Sequence, residues 1–255
     1  MEKAIVSKKV LIVYVIIEDQ MNNLITLGSE YGKWTILEHE SLHNGIIVSA
    51  GVGEDISFDV DLCNRFITKT VLVDPTPRSL EYFHTFESYY GKSRQCNYSD
   101  CGYQPFDSYD LTKITKKNFH LFPFALSDEK GEFPFFAPSN TKFVSHSLVA
   151  NEQNKSNDYI NVRTVTYDAI CDNLPNRPCL VKIDIEGSEK TILSQIFKSL
   201  HKPLQICVEM DFLRDYDEQD IHSLKEILLS ASQNHYELIH KSDYNFLFCS
   251  SEILN

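Results

Sequence analysis

Short apolar runs rich in β-branched residues alternate along this chain with longer amphipathic stretches. The runs that predict strands are 46–50, 71–74, 119–126, 180–185 and 204–210, together with a short Phe-rich strand that ends at Ala137. The stretches that predict helices are 56–67, 78–89, 187–200 and 221–233. Strands that alternate with helices predict βαβ units and therefore an α/β fold with a mostly parallel central sheet.

The end of the chain departs from this alternation. Two β-rich runs, 236–240 and 245–249, flank Ser242 and Asp243 and predict a closing antiparallel hairpin. Two polar stretches, 90–110 and 138–161, are long enough to be functional or disordered, since ordinary connections seldom exceed about 12–15 residues. We expect the second stretch to be either a lid over a substrate or a disordered linker.

The apolar run 10–17 follows Lys8 and Lys9 and resembles the start of a signal peptide. It is far shorter than the roughly 20 residues that span a bilayer, and Glu18 and Asp19 stand where a cleavage site would need small residues. We interpret it as a strand or buried segment. Residues 1–40 then form an N-terminal extension packed on a single domain, 41–255.

Composition narrows the classes of partner. The chain carries 24 basic and 36 acidic residues, a net charge of −12, which disfavours a nucleic-acid substrate because phosphate backbones are repelled. Its seven cysteines include no CxxC pair, so a reducing, cytoplasmic location fits better than a disulfide framework. Cys96 and Cys101 lie close together in sequence, but a zinc site would need a second ligand pair.

A glycine turn follows the first predicted strand of the alternating series. Gly51 and Gly53 allow the backbone to turn sharply and approach a ligand. Asp74 ends the next strand, where an acid can accept hydrogen bonds from both hydroxyls of a ribose. A dinucleotide fingerprint would need a third glycine where Ile56 stands. The pattern therefore indicates a nucleoside ligand other than a dinucleotide.

The acids after this turn help to choose the ligand. Glu54 and Asp55 would repel a pyrophosphate, whereas S-adenosylmethionine (SAM) has no phosphate and carries a positive sulfonium and an ammonium group. The turn thus favours SAM over NAD. The same two acids would also suit the dipole of any helix N-terminus, and both interpretations can hold together.

Further candidate residues lie in three other parts of the chain. Ser127 and Asp128 follow the strand 119–126 and would hold the adenine, or else form the turn before Gly131. Asp184 and Glu186 come at the end of the strand 180–185, where ligands of an open α/β sheet bind, and we expect them to line the reaction site. In the segment 138–161, His146 is the expected general base, because histidine titrates nearest neutral pH.

Several motifs together resemble one family. The run 181–189, VKIDIEGSE, resembles the KIDxEGxE signature of the FkbM family of SAM-dependent methyltransferases. The family's glycine turn, second strand, adenine-strand motif and segment before strand four resemble residues 49–58, 73–79, 124–131 and 161–170. The similarity covers about 31–210, with the motifs in the family's order. One departure is that Ser49 and Ala50 stand where many SAM enzymes have an acid; Glu54 is the expected substitute in binding the methionine amine.

The resemblance implies a Rossmann-like methyltransferase fold, SAM as the cofactor, and methyl transfer to a hydroxyl of a carbohydrate or other small molecule. Such O-methylation needs a base or a metal, because a neutral hydroxyl is a poor nucleophile. Some relatives hold Mg²⁺ with acids at the ends of strands four and five, and Asp184, Glu209 and Asp211 occupy comparable places. A plain hydrogen-bond network that includes Glu186 is the alternative.

Two other functions stay open at this point. An NAD-dependent oxidoreductase is disfavoured by Ile56 and by the acidic turn. A protein that keeps the fold as a binding scaffold, without catalysis, would have the same sequence pattern. The identity of the acceptor and the oligomeric state are not written in the sequence.

Overall fold

A computed structural model describes residues 23–140, 144–150, 158–214 and 218–254. The strands are β1 Leu24–Leu27, β2 Trp34–Leu37, β3 Ile46–Ala50, β4 Lys69–Val73, β5 Phe119–Phe122, β6 Ala125–Leu126, β7 Glu132–Phe136, β8 Tyr159–Val165, β9 Leu180–Ile183, β10 Gln205–Glu209, β11 Tyr236–Ser242 and β12 Asn245–Ser250. The α-helices are α1 Ser57–Phe66, α2 Pro77–Phe86, α3 Tyr167–Cys171, α4 Glu189–Lys198 and α5 Glu218–Gln233.

Seven strands form the central sheet in the order β11-β12-β10-β9-β3-β4-β5. The five from β10 to β5 are parallel, and β12 joins them antiparallel and pairs with β11 as a hairpin. The chain builds outward from β3 to β5 and then returns to the other side of β3 with β9, so the switch point lies between β3 and β9. The predicted Rossmann-like α/β fold, with its closing hairpin, is confirmed.

The prediction of one strand over 119–126 is wrong. The strand of the central sheet ends with β5, and β6 belongs to a separate three-stranded sheet of order β6-β8-β7. Pro123 has no N–H to continue a ladder, and the Phe124 N–H turns back to the Phe122 carbonyl at 2.8 Å. This break carries the chain from the central sheet to the small sheet, which flanks the ligand cavity described below.

The N-terminal hairpin of β1 and β2 packs across one face of the central sheet. Trp34, Ile36 and Leu37 are buried in the same apolar cluster as residues of β3, β9, β10 and β12. The Gln205 side chain fixes the hairpin, since its Oε1 accepts from Leu37 N at 2.9 Å and its Nε2 donates to Leu37 O at 2.8 Å. The run 10–17 lies outside the described residues, and the division at residue 40 stays a prediction.

The other face of the sheet is covered by α3, α4 and α5. Phe197 of α4 packs against Tyr236 and Phe248 of the terminal hairpin, with ring centroids 5.3 and 5.7 Å apart. Burying an aromatic side chain of this size contributes about 2–3 kcal/mol, so the C-terminal end of α4 is held firmly against the terminal hairpin. No helix in the part of the chain that the structure describes is long and apolar enough to cross a membrane.

Candidate active site

A cavity of about 600 Å³ opens at the carboxyl ends of the parallel strands, beside the switch point. Five segments supply most of its described lining, and they are the turns after β3 and β4, the end of β9, the turn between β1 and β2, and the segment after β7. In residue numbers these are 51–55, 73–76, 182–186, 31–34, and 138–140 with 144–148. The sequence-predicted residues Gly51, Gly53, Glu54, Asp74, His146, Asp184, Glu186 and Glu209 all line this cavity.

The glycine turn needs its glycines for different reasons. Gly51 has φ +74° and Gly53 has φ +56°, a region that side-chain-bearing residues occupy at a cost. A Cβ on Gly51 would also lie 1.5 Å from the carbonyl oxygen of Asp184, whereas one on Gly53 would meet only a Val144 methyl at 3.2 Å. The turn after β3 therefore lies directly against the end of β9.

Asp74 stabilises the turn rather than standing free. Its Oδ2 accepts from Val52 N at 3.0 Å and Gly53 N at 2.9 Å, and its Oδ1 accepts from the backbone and hydroxyl of Thr76 at 2.8 and 2.7 Å. These four donors match the four acceptor positions of a carboxylate. A ribose hydroxyl at Asp74 would have to share one of them, so the expected ribose contact stays a prediction.

The two acids after the turn already have partners. Glu54 forms a two-point ion pair with Arg78, one of its contacts being Arg78 Nε to Oε1 at 3.3 Å. Asp55 accepts from the Ser29 hydroxyl at 2.6 Å and from the Ser57 backbone at 2.8 Å, the second bond closing a side-chain turn just before α1. Glu54 lines the cavity, but its charge is largely balanced by Arg78, and its expected contact with the methionine amine stays a prediction.

The predicted adenine contacts, Ser127 and Asp128, lie beside the small sheet. Ser127 N donates to Val165 O at 3.0 Å, which extends the pairing of β6 with β8 and engages this N–H within the fold. The Ser127 hydroxyl donates to Asp128 at 3.2 Å. Neither residue belongs to the described lining of the cavity, where Ala125 and Leu126 stand instead. The turn interpretation of Ser127 and Asp128 fits this geometry better.

Four acids gather at the ends of β9 and β10. Burial raises the pKa of Glu186, and the neighbouring charges of Asp211 and Asp184 raise it further. Burial likewise raises the pKa of Glu209, again with Asp184 and Asp211 as the next causes. Carboxyl groups this close cannot all ionise together. The group therefore holds protons near neutral pH and can both donate and accept hydrogen bonds.

The predicted magnesium site is not supported. Across residues 23–140, 144–150, 158–214 and 218–254, no three His, Cys, Asp or Glu side chains are arranged to hold one metal ion. Arg214 binds two of the predicted ligands instead, with NH2 2.6 Å from Glu209 Oε1 and Nε 2.5 Å from Asp211 Oδ1. Asp184 contacts Lys182 at 3.4 Å. Cations from the protein occupy the places that a metal would need.

The segment after β7 is tied to the end of β9 through Ser147. The backbone of Ser147 pairs with Phe136, and its buried hydroxyl donates to Glu186 O at 2.5 Å while accepting from Val149 N at 3.0 Å. Glu186 itself has φ +59°. A non-glycine residue in that region costs about 1 kcal/mol or more and is typical of functional sites. The described parts of the segment 138–161 thus line the cavity and contact its acidic end, and their role as a lid stays a prediction.

His146 lies in this covering segment and lines the cavity. Its ring stacks on Phe135 with centroids 5.6 Å apart, and Nδ1 is 3.1 Å from Val144 O. A carbonyl can only accept, so in the neutral ring Nδ1 carries the proton and Nε2 is the acceptor. That tautomer leaves Nε2 able to accept a proton, as a general base must.

The cavity residues that the sequence reasoning missed include Tyr31, Asp59 and Lys182. Asp59 and Lys182 are buried, with 2% and 5% of their surface exposed. Tyr31 is 61% exposed, yet burial of its hydroxyl and the charges of Asp184, Glu186 and Glu209 raise its pKa. Lys182 stands inside the signature run, which was the available signal. Tyr31 precedes the family's motifs and gave none.

The structure is similar to precorrin-6y C5,15-methyltransferase from Geobacter metallireducens GS-15 (TM-score 0.39, 9% identity, 81% of this chain and 78% of that chain). It is also similar to the Methanococcus jannaschii fibrillarin pre-rRNA processing protein (TM-score 0.41, 9% identity, 84% of this chain and 70% of that chain). These scores are low, so the fold assignment rests on the sheet order. No curated protein sequence matches the chain.

A family model decides the affiliation. The model described as "Methyltransferase FkbM domain" matches residues 38–245, which contain the glycine turn, Asp74, the signature run and the acids at the ends of β9 and β10. Its range confirms the resemblance drawn from the motifs and implies SAM as the methyl donor. The chain belongs to the FkbM family of SAM-dependent methyltransferases.

Proposed function

We propose that this protein transfers the methyl group of SAM to a hydroxyl of a carbohydrate or a related small molecule. One observation carries the proposal: a single cavity brings the glycine turn and Asp74 together with His146 and the acids Asp184 and Glu186. Residues expected to hold the cofactor and groups able to bind and deprotonate a hydroxyl thus line one cavity. Positioning of the two reactants is the main requirement for transfer from a sulfonium.

The residues present fit SAM. The glycine turn lets the backbone approach the ligand closely, Asp74 lies where the ribose is expected, and Ala125 and Leu126 offer an apolar surface for the adenine. The acids at the ends of β9 and β10 suit the positive sulfonium. When bound, SAM supplies an electrophilic methyl group.

The acidic end of the cavity supports a polyhydroxyl acceptor. Glu186 and Glu209, with raised pKa values, can donate as well as accept hydrogen bonds, which matches the two-way bonding of sugar hydroxyls. The exposed ring of Tyr31 beside them offers a face for a sugar ring. His146 accepts the hydroxyl proton at Nε2 in this proposal, and Asp184 and Glu186 orient the acceptor. The cytoplasmic location expected from the cysteines remains part of the proposal.

Calorimetric titration with S-adenosylhomocysteine (SAH) tests the cofactor site. We expect micromolar binding to the wild type and a loss of about 30-fold or more in Asp74→Ala, because the four bonds that shape the turn are lost. Asp172→Ala, an exposed acid whose partner is His201, is the matched control and should bind as the wild type does. A folded wild type that does not bind SAH would contradict the proposed function and favour a scaffold.

His146→Gln tests the base. We expect SAH binding to be kept and the rate of methyl transfer to fall about 10²- to 10⁴-fold, since a positioned base contributes that much. The rate is measured as label passed from methyl-labelled SAM to a panel of saccharides and glycan fractions. His146→Phe keeps the stacking on Phe135 and should be as inactive as His146→Gln. Unchanged turnover in both variants would exclude His146 as the base.

A further inference from the structure

Two buried, oppositely charged side chains line the cavity without a role in the transfer just described. Asp59 stands in the first turn of α1, and Lys182 stands in β9. We propose that these two residues bind the amino-acid end of the methyl donor, Asp59 accepting from its α-ammonium and Lys182 donating to its α-carboxylate. This inference rests on the proposed function, because it specifies a subsite of the same cavity.

One carboxylate oxygen of Asp59 has no hydrogen-bond donor among the described residues. Its Oδ2 accepts from the Ser49 hydroxyl at 3.3 Å, whereas its Oδ1 is buried and accepts no hydrogen bond from any described residue. A buried carboxylate oxygen without a donor is costly and calls for a partner beyond the described residues, which a ligand in the cavity can supply. Burial also raises the pKa of Asp59 to about 6, with Lys182 and the Ser49 hydroxyl acting in the opposite direction. An ammonium group at Oδ1 would supply both the donor and the compensating charge.

Lys182 is the basic residue best placed for the carboxylate. Its Nζ donates to Gly51 O at 2.6 Å, lies 3.4 Å from Asp184 Oδ2 and stands 5.4 Å from the centre of the Trp34 ring. An ammonium has three donors, and the contact with Asp184 is longer than a good hydrogen bond. A ligand carboxylate can therefore bind Nζ while the bond to the glycine turn is kept.

The other basic residues of the lining are already engaged more closely. Lys33 is 2.5 Å from Glu30, and Arg214 is held by Glu209 at 2.6 Å and by Asp211 at 2.5 Å. Their side chains are also 46% and 42% exposed, whereas Lys182 is buried. A carboxylate gains more from a buried, desolvated cation than from an exposed one that is paired.

The hydrogen bond between Ser49 and Asp59 also explains why the end of β3 lacks the acid that many SAM enzymes have there. Ser49 stands where many SAM enzymes have an acid, and here its hydroxyl donates to an acid that comes from α1. Glu54, the substitute expected from the sequence, is balanced by Arg78 instead. The negative charge is thus supplied beside β3, but from the helix that follows the glycine turn.

Three ligands separate this subsite from the rest of the cofactor site. SAH has both charged groups, its 3-aminopropyl analogue lacks the carboxylate, and 5′-deoxy-5′-methylthioadenosine lacks both. Each is titrated by calorimetry into the wild-type chain, Asp59→Asn, Lys182→Gln and, as the control for the rival acid, Glu54→Gln. Thermal unfolding of each variant verifies that it is folded.

We expect Asp59→Asn to weaken SAH and the aminopropyl analogue about 10- to 100-fold, the range of one charged hydrogen bond. Lys182→Gln should weaken SAH by a similar factor and leave the aminopropyl analogue within about threefold. Methylthioadenosine should bind all variants within about threefold, and Glu54→Gln should change SAH binding less than Asp59→Asn does. Should Lys182→Gln not fold, the isosteric Asp59→Asn decides alone.

Two results would overturn the inference while leaving the proposed function intact. One is a wild type that binds methylthioadenosine as tightly as SAH, since the amino-acid end would then contribute nothing. The other is an Asp59→Asn variant that either binds SAH normally or loses all three ligands equally, the second pattern being that of a damaged turn. A wild type that binds none of the three ligands would overturn both the inference and the proposed function.

Discussion

Gly51→Ala is expected to abolish SAH binding and to lower the free energy of unfolding by about 4 kcal/mol or more, among the largest effects of a single substitution. The new Cβ would lie 1.5 Å from Asp184 O and 2.6 Å from Asp184 C, atoms of the backbone that cannot rotate away. The same two segments are joined by the bond from Asp184 N to Ala50 O at 3.1 Å. Relief of the clash would separate the glycine turn from the end of β9.

Gly53→Ala is the matched control for this prediction. Its φ of +56° lies in the left-handed region that non-glycine residues can occupy at a cost of about 1–2 kcal/mol. Its Cβ would meet one methyl of Val144, a side chain that can move. Urea denaturation and SAH titration should therefore show a small loss for Gly53→Ala and a large one for Gly51→Ala. Equal losses in the two variants would mean that the turn does not lie against β9 as described.

The sequence predicted where the ligand cavity lies because the carboxyl ends of parallel strands meet at one edge of a sheet. Glycines after β3, Asp74 after β4 and Asp184 after β9 are therefore brought together by the strand order alone. The bonds that each residue makes there could not be predicted in the same way. Whether Asp74 faces a ribose or the amides of Val52 and Gly53 depends on turn geometry of a few tenths of an ångström.

The acids at the ends of β9 and β10 show the same limit. Three oxygen ligands at comparable places predicted a metal, and the charge that reaches two of them belongs to Arg214. Arg214 is three residues beyond Asp211 on a short helical turn, where such a pair is in reach. The sequence shows that Arg214 is near enough to pair with these acids. Whether the acids bind a metal ion or the arginine depends on the direction of their side chains, which the sequence does not give.

Asp59 was missed because its neighbours suggest a solvent-exposed position. In an isolated amphipathic helix an acid between Phe58 and Val60 would face water, and here the turn between β1 and β2 covers the start of α1. Ser29 N donates to the Ser57 hydroxyl at 2.7 Å, and Gly28 N donates to Asp61 at 3.1 Å. These contacts join residues about thirty positions apart, so no local pattern predicts them.

Asp59→Asn is expected to stabilise the folded protein at pH 8 by up to about 3 kcal/mol. Burial raises the pKa of Asp59 from 3.8 to about 6, and a change of this size corresponds to about 3 kcal/mol. A carboxyl group whose pKa is raised in the folded state makes its full contribution to stability at pH values below its pKa in the unfolded chain. That contribution is lost as the pH rises through its pKa in the folded protein. The wild type therefore carries the whole cost of the buried charge at pH 8, and the neutral variant does not.

The pH dependence distinguishes this effect from ordinary repacking. The stability difference between Asp59→Asn and the wild type should shrink as the pH falls from 8 through 6 to 5, measured as the free energy of urea unfolding. Asp61→Asn is the control on the same helix, because burial raises the pKa of Asp61 as well. Unlike Asp59, Asp61 has a partner at each oxygen, Tyr98 at 2.8 Å and Gly28 at 3.1 Å, so weakening these bonds should leave Asp61→Asn less stable than the wild type by about 1–2 kcal/mol at pH 8.

A variant that is more stable yet binds SAH more weakly would identify Asp59 as a charge kept for binding at the expense of stability. Proteins tolerate such a group only where the ligand supplies what the fold lacks, and here the lack is one donor at Oδ1. If Asp59→Asn instead destabilised the protein at pH 8 as much as Asp61→Asn does, the ionised carboxylate would have a structural role. The amino-acid end of the donor would then need another acceptor, and Glu54, which also lines the cavity, would be the next to test.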